Sequence, residues 1–590
     1  MAKLPESMKL PLAEVVAAVE AEGEALRAEF HRAEGPRGRR GSCPLDAEIE
    51  ERLKKKLCSL KNGSFVGEET APLAGTEAGW TWLVDPHDGT TEFLSGRRGS
   101  AVSVALLREG VPVLGVVHAP EAPDRGPDTI AWAEGERLQR NGKAIDSDLS
   151  AKKLAPGEFV FATASTAQRP QTWLQAVSPA RYVAAPSIAY RLARIAAGDG
   201  VATLSVHGVN EYDVAAGLAL VKAAGGILLD AEGRQVDKFE GKRDSRLSGC
   251  FAGAPAAARQ LQRFDWSRLE QEPRREPRVQ LGFPRRLDVR LPRAQGALLG
   301  QVIGDSLGAR VEAKPAGEIA RLFPRGLRDL GDGGVYHTMA GQPTDDSELA
   351  LTLARTLLRD GKYDKAKMLD AYRAWLTSRP VDVGVTTENG LLGRGNGASE
   401  SNGSLMRVSP LGIWAAGDPV LAAQTAREDS ALTHSSEVCL EACAAYAAAI
   451  AAGIAGAAPR EMADAALTHS RGAANDAIQR AVKGAPPTGY FSHASSALVS
   501  LQNAFWCLFR QGFEEALIYT VAQGGDTDTN AAVCGALLGA HHGRAGIPSR
   551  WIYPVLACRP LAEAGALRPR PAEYWPDDVL ELAEALLLLR

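Results

Sequence analysis

Apolar residues recur at helical spacing over residues 12–30 and again over residues 46–58 (DAEIEERLKKKLC), which predicts two amphipathic helices at the start of the chain. The pattern then changes period. Short apolar runs at residues 64–66, 80–84, 101–107 and 111–118 predict strands, the last two joined by a turn at Arg108-Glu109-Gly110. Further strands are expected at residues 159–163, 201–206 and 227–230, with helices at residues 186–197 and 212–224. Gly225-Gly226 supplies the stop for the second of these helices. This half of the chain reads as mixed α and β. Residues 263–292 are rich in Arg, Glu and Pro without a sustained period, and read as a linker between a domain of residues 1–262 and a domain of residues 293–590. From Ala294 onward long Ala/Leu/Gly helical patterns dominate, so the second domain is predicted to be all-α.

Composition narrows the class. With 590 residues the chain exceeds the roughly 250–300 residues at which a single core stops growing, so two domains are the default. The net charge of -4 gives no global attraction to nucleic acid or to an anionic membrane. Neither membrane association nor sequence-specific nucleic-acid binding is therefore expected. The eight cysteines are scattered without a CxxC pair, which reads as reduced thiols in a cytoplasmic protein. Residues 1–30 carry no apolar segment or cleavage pattern of a secretory signal. The longest apolar run, residues 442–458, is mostly Ala and Gly and reads as a tightly packed internal helix rather than a membrane span.

Two groups of carboxylates change the picture. In the first, Asp85 and Asp88 flank Pro86, which is expected to end regular strand pairing, and Asp88-Gly89-Thr90 turns toward a helix start. Two carboxylates at a strand end hold hard divalent cations, and the Gly89 and Thr90 amides at a helix start hold phosphate oxygens. A metal-assisted phosphoester hydrolase needs both. The plainer reading is a polar turn with Asp88 as a helix cap.

The full string Trp82 to Phe93 (WLVDPHDGTTEF) resembles the inositol monophosphatase superfamily. The resemblance runs over residues 10–255 and includes Gly67-Glu68-Glu69, the hairpin ending PVLGVVHAP, the helix APSIAYRLARIAAG, and YDVAAG followed by AAGG. It implies an α/β layered sandwich with Glu68, Asp85, Asp88 and Asp213 as metal ligands, assisted by the His87 carbonyl. It further implies that Thr90 orients the attacking water, that the Gly89 and Thr90 amides bind phosphate, and that Asp46 and Glu68 belong to the catalytic set. Thr91-Glu92-Phe93 looks more like the 3'(2'),5'-bisphosphate nucleotidase branch than the inositol branch, which favours a phosphorylated adenosine nucleotide. The chain departs from the family pattern in places. The VTxAD segment is reduced to Cys43-Pro44-Leu45-Asp46, the Gly-Ser before the late helix is Pro186-Ser187, Trp-Asp is Tyr212-Asp213, and His87 replaces an aliphatic residue.

The second group joins Thr344-Asp345-Asp346 to Asp526-Thr527-Asp528-Thr529, each opening a helical pattern. The plainer reading of the first is a capping box between Asp345 and Glu348. Two acidic helix starts that meet would repel unless cations sit between them, which makes a two-metal proposal. The stretches GALLGQVIGDSLGARVE, TDDSELAL, NGSLMRVSPLG, ALTHSS and GGDTDTNAAVCGALLGA resemble the ADP-ribosylglycohydrolase family over residues 293–565.

That resemblance implies that Thr344, Asp345, Asp346, Asp526, Asp528 and Thr529 hold the metals and that Glu312 contacts metal or activates water, with Asp305 as the weaker candidate. It also implies ADP-ribose as the ligand, with Gly403 and Ser404 against its diphosphate, Met406-Arg407 supporting that loop, and His434 near the ribose and phosphate. The plainer reading of His434 is a core histidine; His541 and His542 read as helix-end residues, and Tyr490 and Phe491 as an adenine slot or as aromatic core.

Together the halves imply a bifunctional hydrolase using Mg2+ or Mn2+, two or more ions in each domain. One half acts on a phosphomonoester of an adenosine-type nucleotide, the other on an ADP-ribosyl glycosidic bond. Its partners are small adenosine nucleotides or ADP-ribosyl compounds, ADP-ribosylated macromolecules among them. Two alternatives stand beside it. In one, only the C-terminal half is catalytic and the N-terminal half is a nucleotide-binding or regulatory module. In the other, an inositol or sugar phosphate phosphatase is fused to a protein de-ADP-ribosylase.

Overall fold

A computed structural model describes residues 10–39, 41–285, 287–395 and 398–590. Part of the N-terminal stretch read for a secretory signal, residues 1–9, and residues 396–397 of the Gly-rich loop lie outside the described residues. The chain divides into two compact units, Met1–Pro277 with Leu281–Leu287, and Arg278–Gln280 with Asp288–Arg590.

The first unit is a layered α/β sandwich. Its amphipathic helices Leu12–Phe30 and Pro44–Leu60 bury Val15, Val19, Leu26, Ile49 and Leu53 on one face of a seven-stranded sheet, against Trp82, Val84, Val104 and Val116. Alternate strand residues point to the opposite face. There Gly115 lies so close to the helix Glu211–Ala223 that a side-chain carbon would come within 2.5 Å of the Ala216 carbonyl. That helix and Ile188–Ala196 fill the next layer, and a five-stranded sheet follows, covered on its far side by Pro255–Gln262.

The strand expected over residues 80–84 runs from Trp80 to Asp88. Pro86 does not end it, because the register shifts between Asp85 and Asp88 and pairing resumes at Asp88 opposite Ala101. A proline at such a bulge has no ladder hydrogen bond to lose. Sequence periodicity also passed over the strands Asp128–Ala133, Arg181–Ala184 and Cys250–Gly253 and the helix Pro170–Val177. These are short and buried on both faces, so no alternation marks them.

The stretch following Gln262 packs on this unit. Trp266 lies 4.8 Å from Trp173, the Glu272 carboxylate accepts from the Gln171 and Thr172 amides at 2.9 and 2.8 Å, and Phe283 meets Phe30 at 5.4 Å.

Among its described residues the second unit is built of helices and contains no strand. Its centre is the pair Leu291–Gly308 and Thr527–His542. Gly296, Gly300 and Gly304, four residues apart on one face, meet Gly539, Gly535 and Ala531 so closely that added side-chain carbons would lie 2.5, 2.3 and 2.0 Å from their carbonyl oxygens. Only glycine permits that approach of two backbones. The contact sets Asp526 and Asp528 beside the far end of the first helix. The Ala-rich helix Glu437–Ile454 is long and apolar enough to cross a membrane by length and composition, and 78% of it is buried.

Candidate active sites

In the first unit, four acids from three elements converge. Glu68 follows the strand Ser64–Gly67, Asp85 and Asp88 end the strand Trp80–Asp88, and Asp213 opens the helix Glu211–Ala223. Asp85 accepts from the His87 amide at 2.8 Å. Asp88 accepts from the Ser187 hydroxyl at 2.5 Å and the Ala189 amide at 2.7 Å, so the helix Ile188–Ala196 holds it from its N-terminal end. Asp213 accepts from the Asn210 amide at 2.8 Å.

Burial, then the charges of Glu69 and Asp88, push the Glu68 carboxyl up to about 7. Burial, then Asp88 and Glu68, push Asp213 up to about 8. Asp85 is raised well above the ordinary range by burial, then by Glu68, Asp88 and Asp213. These groups raise one another's proton affinity through their charges.

Gly89 adopts a left-handed conformation (φ 97°) and opens the short helix Thr90–Leu94. Thr90 Oγ1 donates to the His87 carbonyl at 2.7 Å and lies 3.5 Å from Asp46 Oδ2. The other oxygen of Asp46 is 2.8 Å from His87 Nδ1. A carboxylate oxygen accepts, so the imidazole Nδ1 is the donor. His87 Nε2 is buried and has no hydrogen-bond partner, and the ring stands edge-on to Phe93 at 4.4 Å. The His87 side chain, Ser187 and Glu50 were not anticipated. Glu50, fully buried, accepts from the Glu69 amide and from the Thr70 amide and hydroxyl. In the sequence His87 and Ser187 were marked only by departures from the family pattern at residues 87 and 186–187, and Glu50 not at all.

In the second unit, Thr344 precedes the helix Asp345–Asp360, and Asp526 precedes Thr527–His542. Carboxylate oxygens of Glu312, Asp526 and Asp528 lie within 4.8 Å of one another. Glu312 also accepts from the Thr527 amide at 2.7 Å, and burial followed by the charge of Asp526 pushes it up to about 7. Burial, then Asp305, Asp345 and Asp526, raise Asp346 well above the ordinary range; burial, then Asp382 and Asp305, do the same to Asp345. Asp346 Oδ2 accepts from Thr344 Oγ1 at 3.1 Å, whereas Asp346 Oδ1 is buried without a partner. The Thr529 amide donates to Asp528 at 2.9 Å. Asp305 accepts from the Thr344 amide and hydroxyl and from the Ser347 amide, which makes it a brace for the Thr344–Asp346 turn.

Glu348 does not close a capping box. It is fully buried, pairs with Arg570 and accepts from Trp375 Nε1 at 2.8 Å. Ser404 is buried, its hydroxyl accepting from Ser430 at 2.8 Å, and Gly403 lies where a side-chain carbon would come within 2.7 Å of Thr387 Oγ1. His434 has both ring nitrogens occupied, by Ser401 at 3.0 Å and Thr433 at 2.8 Å, and burial followed by Arg407 pushes it down to about 3. Among the described residues no hydrogen bond joins it to the carboxylates. Arg407 is ion-paired to Asp429 in the core at 2.8 Å. Tyr490 is buried and donates to Asn503, while Phe491 is 57% exposed.

Of three further residues near the carboxylates, Asn402 opens the stretch NGSLMRVSPLG and the other two carried no sequence signal. Asn402 donates to Asp526 at 2.9 Å, Tyr336 donates to Asp382 at 2.9 Å, and Asp382 is the largest charge acting on Asp345. An isolated Asp in a Pro-Val-Asp-Val-Gly loop looks like any turn residue.

A family model described as ADP-ribosylglycohydrolase matches residues 286–589, and one described as inositol monophosphatase family matches residues 14–265. The chain belongs to both families. Its ADP-ribosylglycohydrolase part is 33% identical over 275 residues to an ADP-ribosyl-[dinitrogen reductase] glycohydrolase of Rhodospirillum rubrum, covering 44% of this chain and 89% of that one. It is 28% identical over 288 residues to an ADP-ribosylarginine hydrolase of Pseudomonas putida, covering 45% of this chain and 74% of that one. Its inositol monophosphatase part is 32% identical over 200 residues to an inositol-1-monophosphatase of Mesorhizobium japonicum, covering 32% of this chain and 72% of that one. Both parts thus belong to families of hydrolases.

Proposed function

We propose that the two parts are two metal-dependent hydrolases on one chain. The N-terminal one releases phosphate from an adenosine-type nucleotide or similar small phosphate, and the C-terminal one cleaves an ADP-ribosyl glycosidic bond. The carrying observation is that distant carboxylates meet in two places, where they raise one another's proton affinity. The donor sets suit hard cations such as Mg2+ or Mn2+, being oxygens throughout. The unpartnered, buried Asp346 Oδ1 supports the same reading.

Glu68, Asp85, Asp88, Asp213 and the His87 carbonyl would hold the cations of the first site. Thr344, Asp345, Asp346, Asp526, Asp528 and Thr529 would hold those of the second. Bound there, the cations supply Lewis acidity and acidify a coordinated water. In the first site the amides of Gly89 and Thr90 face the phosphate oxygens, and Thr90 with Asp46 orients the attacking water and takes its proton. In the second, Glu312 handles the proton of the water that attacks the ribose anomeric carbon through an oxocarbenium-like transition state. The names of the R. rubrum and P. putida relatives point to ADP-ribose attached to a protein, through arginine in the second case, as the substrate class. Covalent linkage of the two centres raises the effective concentration of any product that one passes to the other.

Release of phosphate and of ADP-ribose from the full chain tests this, with Asp88→Asn and Asp526→Asn as separate variants. Each substitution should abolish one activity and spare the other. A second reading, with turnover only in the C-terminal part, is favoured by Asp46, whose carboxylate is engaged by His87. It predicts ADP-ribose release without phosphate release from any small phosphate.

A further inference from the structure

Glu50 is a fully buried carboxylate that takes no part in the proposed chemistry. Its Oε2 accepts from the Glu69 amide at 2.8 Å, and its Oε1 accepts from the Thr70 amide at 2.8 Å and the Thr70 hydroxyl at 2.6 Å. Among the described residues no Lys, Arg or His forms an ion pair with it. Burying an ionised carboxylate is costly unless hydrogen bonds replace its water. Here the replacing donors all belong to the two residues that follow Glu68.

On the other side of Glu68, Gly67 makes room for the same carboxylate. A side-chain carbon on Gly67 would lie 2.3 Å from Glu50 Cδ and Oε1. Gly67, opposite Val84, is also the last paired residue of its strand. Glu68 therefore sits one residue past the point where the strand ladder fixes the chain, and Glu50 grips that chain before and after it. Asp46 lies one turn earlier than Glu50 on the same face of the helix Pro44–Leu60. Asp46 meets His87 Nδ1 at 2.8 Å and Thr90 Oγ1 at 3.5 Å, on the segment that carries Asp85 and Asp88. One helix thus holds both segments that bring acids to the first centre.

We propose that Glu50 is a positioning residue for the first centre. It fixes the turn from Gly67 to Thr70, so that the Glu68 carboxylate meets those of Asp85, Asp88 and Asp213 around a divalent cation. With both oxygens bonded to that turn, Glu50 holds the ligand and not the cation. Removing a hydrogen-bond partner that orients a metal ligand lowers metal affinity about ten- to a hundredfold. This rests on the reading of Glu68 as a cation ligand of the N-terminal part.

The test is Mn2+ titration of the full chain by electron paramagnetic resonance, reading the ions that Asp88→Asn loses. Glu50→Gln turns an N–H donor toward the turn's own donors and should weaken those ions by about tenfold or more. Gly67→Ala displaces the free end of the Glu50 side chain and should weaken them by an independent route. In both variants the Mg2+ needed for half-maximal phosphate release should rise by a similar factor, with a smaller change in rate at saturating Mg2+. Hydrogen–deuterium exchange over residues 64–72 in EDTA should quicken in both. Ile49→Val, at a buried neighbour on the same helix, loosens packing and should leave Mn2+ affinity as it is. Unchanged Mn2+ affinity in Glu50→Gln and Gly67→Ala, or an equal loss in Ile49→Val, overturns the positioning role. Mn2+ binding that depends on Glu50, without phosphate release from any small phosphate, leaves the role standing and overturns the phosphatase reading instead. Absence of Mn2+ from the first centre of the parent protein overturns both.

Discussion

Arg570 grips Glu348 with a two-pronged ion pair, Nε and Nη2 each 2.7 Å from a carboxylate oxygen, both residues being buried. The remaining donors of Arg570 take the carbonyls of Ser378 and Arg379 at 2.8 and 3.1 Å. Arg379 is a non-glycine residue at φ 57°, and the loop it opens carries Asp382 and the Gly384 amide, 3.3 Å from Asp345. One side chain thus ties the first turn of the Asp345–Asp360 helix to the loop that faces it.

Arg570→Met leaves Glu348 as an uncompensated buried charge, which costs about 3–5 kcal/mol. Arg570→Lys does not rescue it, because an ammonium cannot reproduce the fork. Urea unfolding followed by Trp375, which donates to Glu348, measures the loss; a change under ~1 kcal/mol contradicts the clamp.

Gly304→Ala drives a carbon against the Ala531 carbonyl and forces the central helices apart. The expected cost is about 1–3 kcal/mol. Divalent-cation affinity of the ADP-ribosylglycohydrolase part should fall with it, since that helix contact sets Asp526 and Asp528. Unfolding curves together with Mn2+ titration check both effects.

His87→Leu restores an aliphatic residue but removes the N–H that Asp46 accepts. Loss of a buried hydrogen bond to a carboxylate costs about 1–3 kcal/mol in the inositol monophosphatase part. Asp46→Asn should lower phosphate release by about a hundredfold or more, the scale of general-base catalysis. Unchanged rates in Asp46→Asn remove that carboxylate from the mechanism.

Stability of the cation-free protein should fall as pH rises. Glu68 and Glu312 are raised from 4.5 to about 7, and Asp213 from 3.8 to about 8, each chiefly by burial. The folded chain therefore holds protons that the unfolded chain has already released. The stabilisation these groups provide is complete below their unfolded values near 4, and is lost as pH climbs through about 7 to 8. Thermal unfolding in EDTA from pH 5 to 8 should show a declining Tm, and Mg2+ should restore more stability at pH 8 than at pH 5. A Tm that climbs with pH in EDTA contradicts the sign.

The sequence carried the helices Leu12–Phe30 and Glu211–Ala223 because apolar spacing over three or more turns marks a buried face. Asp85, Asp88, Asp345, Asp346, Asp526 and Asp528 stood out as acids clustered at element ends, whereas Glu68, Asp213 and Glu312 were marked only by family resemblance. The sequence was silent on Asp382 and Arg570, whose roles exist only through partners brought in by tertiary folding. It was misleading at Pro86, where a bulge absorbs the proline, and at Glu348, where an arginine far along the chain outcompetes the helix's own amides. His87 stood out as a substitution, but its hydrogen bond to Asp46 required the fold.

The central claim is that two carboxylate clusters cage divalent cations. Equilibrium titration with Mn2+, detected by electron paramagnetic resonance on the full chain and on the Asp88→Asn and Asp526→Asn variants, tests it most directly. The account predicts that each variant loses a separate subset of the bound Mn2+ and that their losses add. Binding that is absent, or that neither substitution alters, contradicts it.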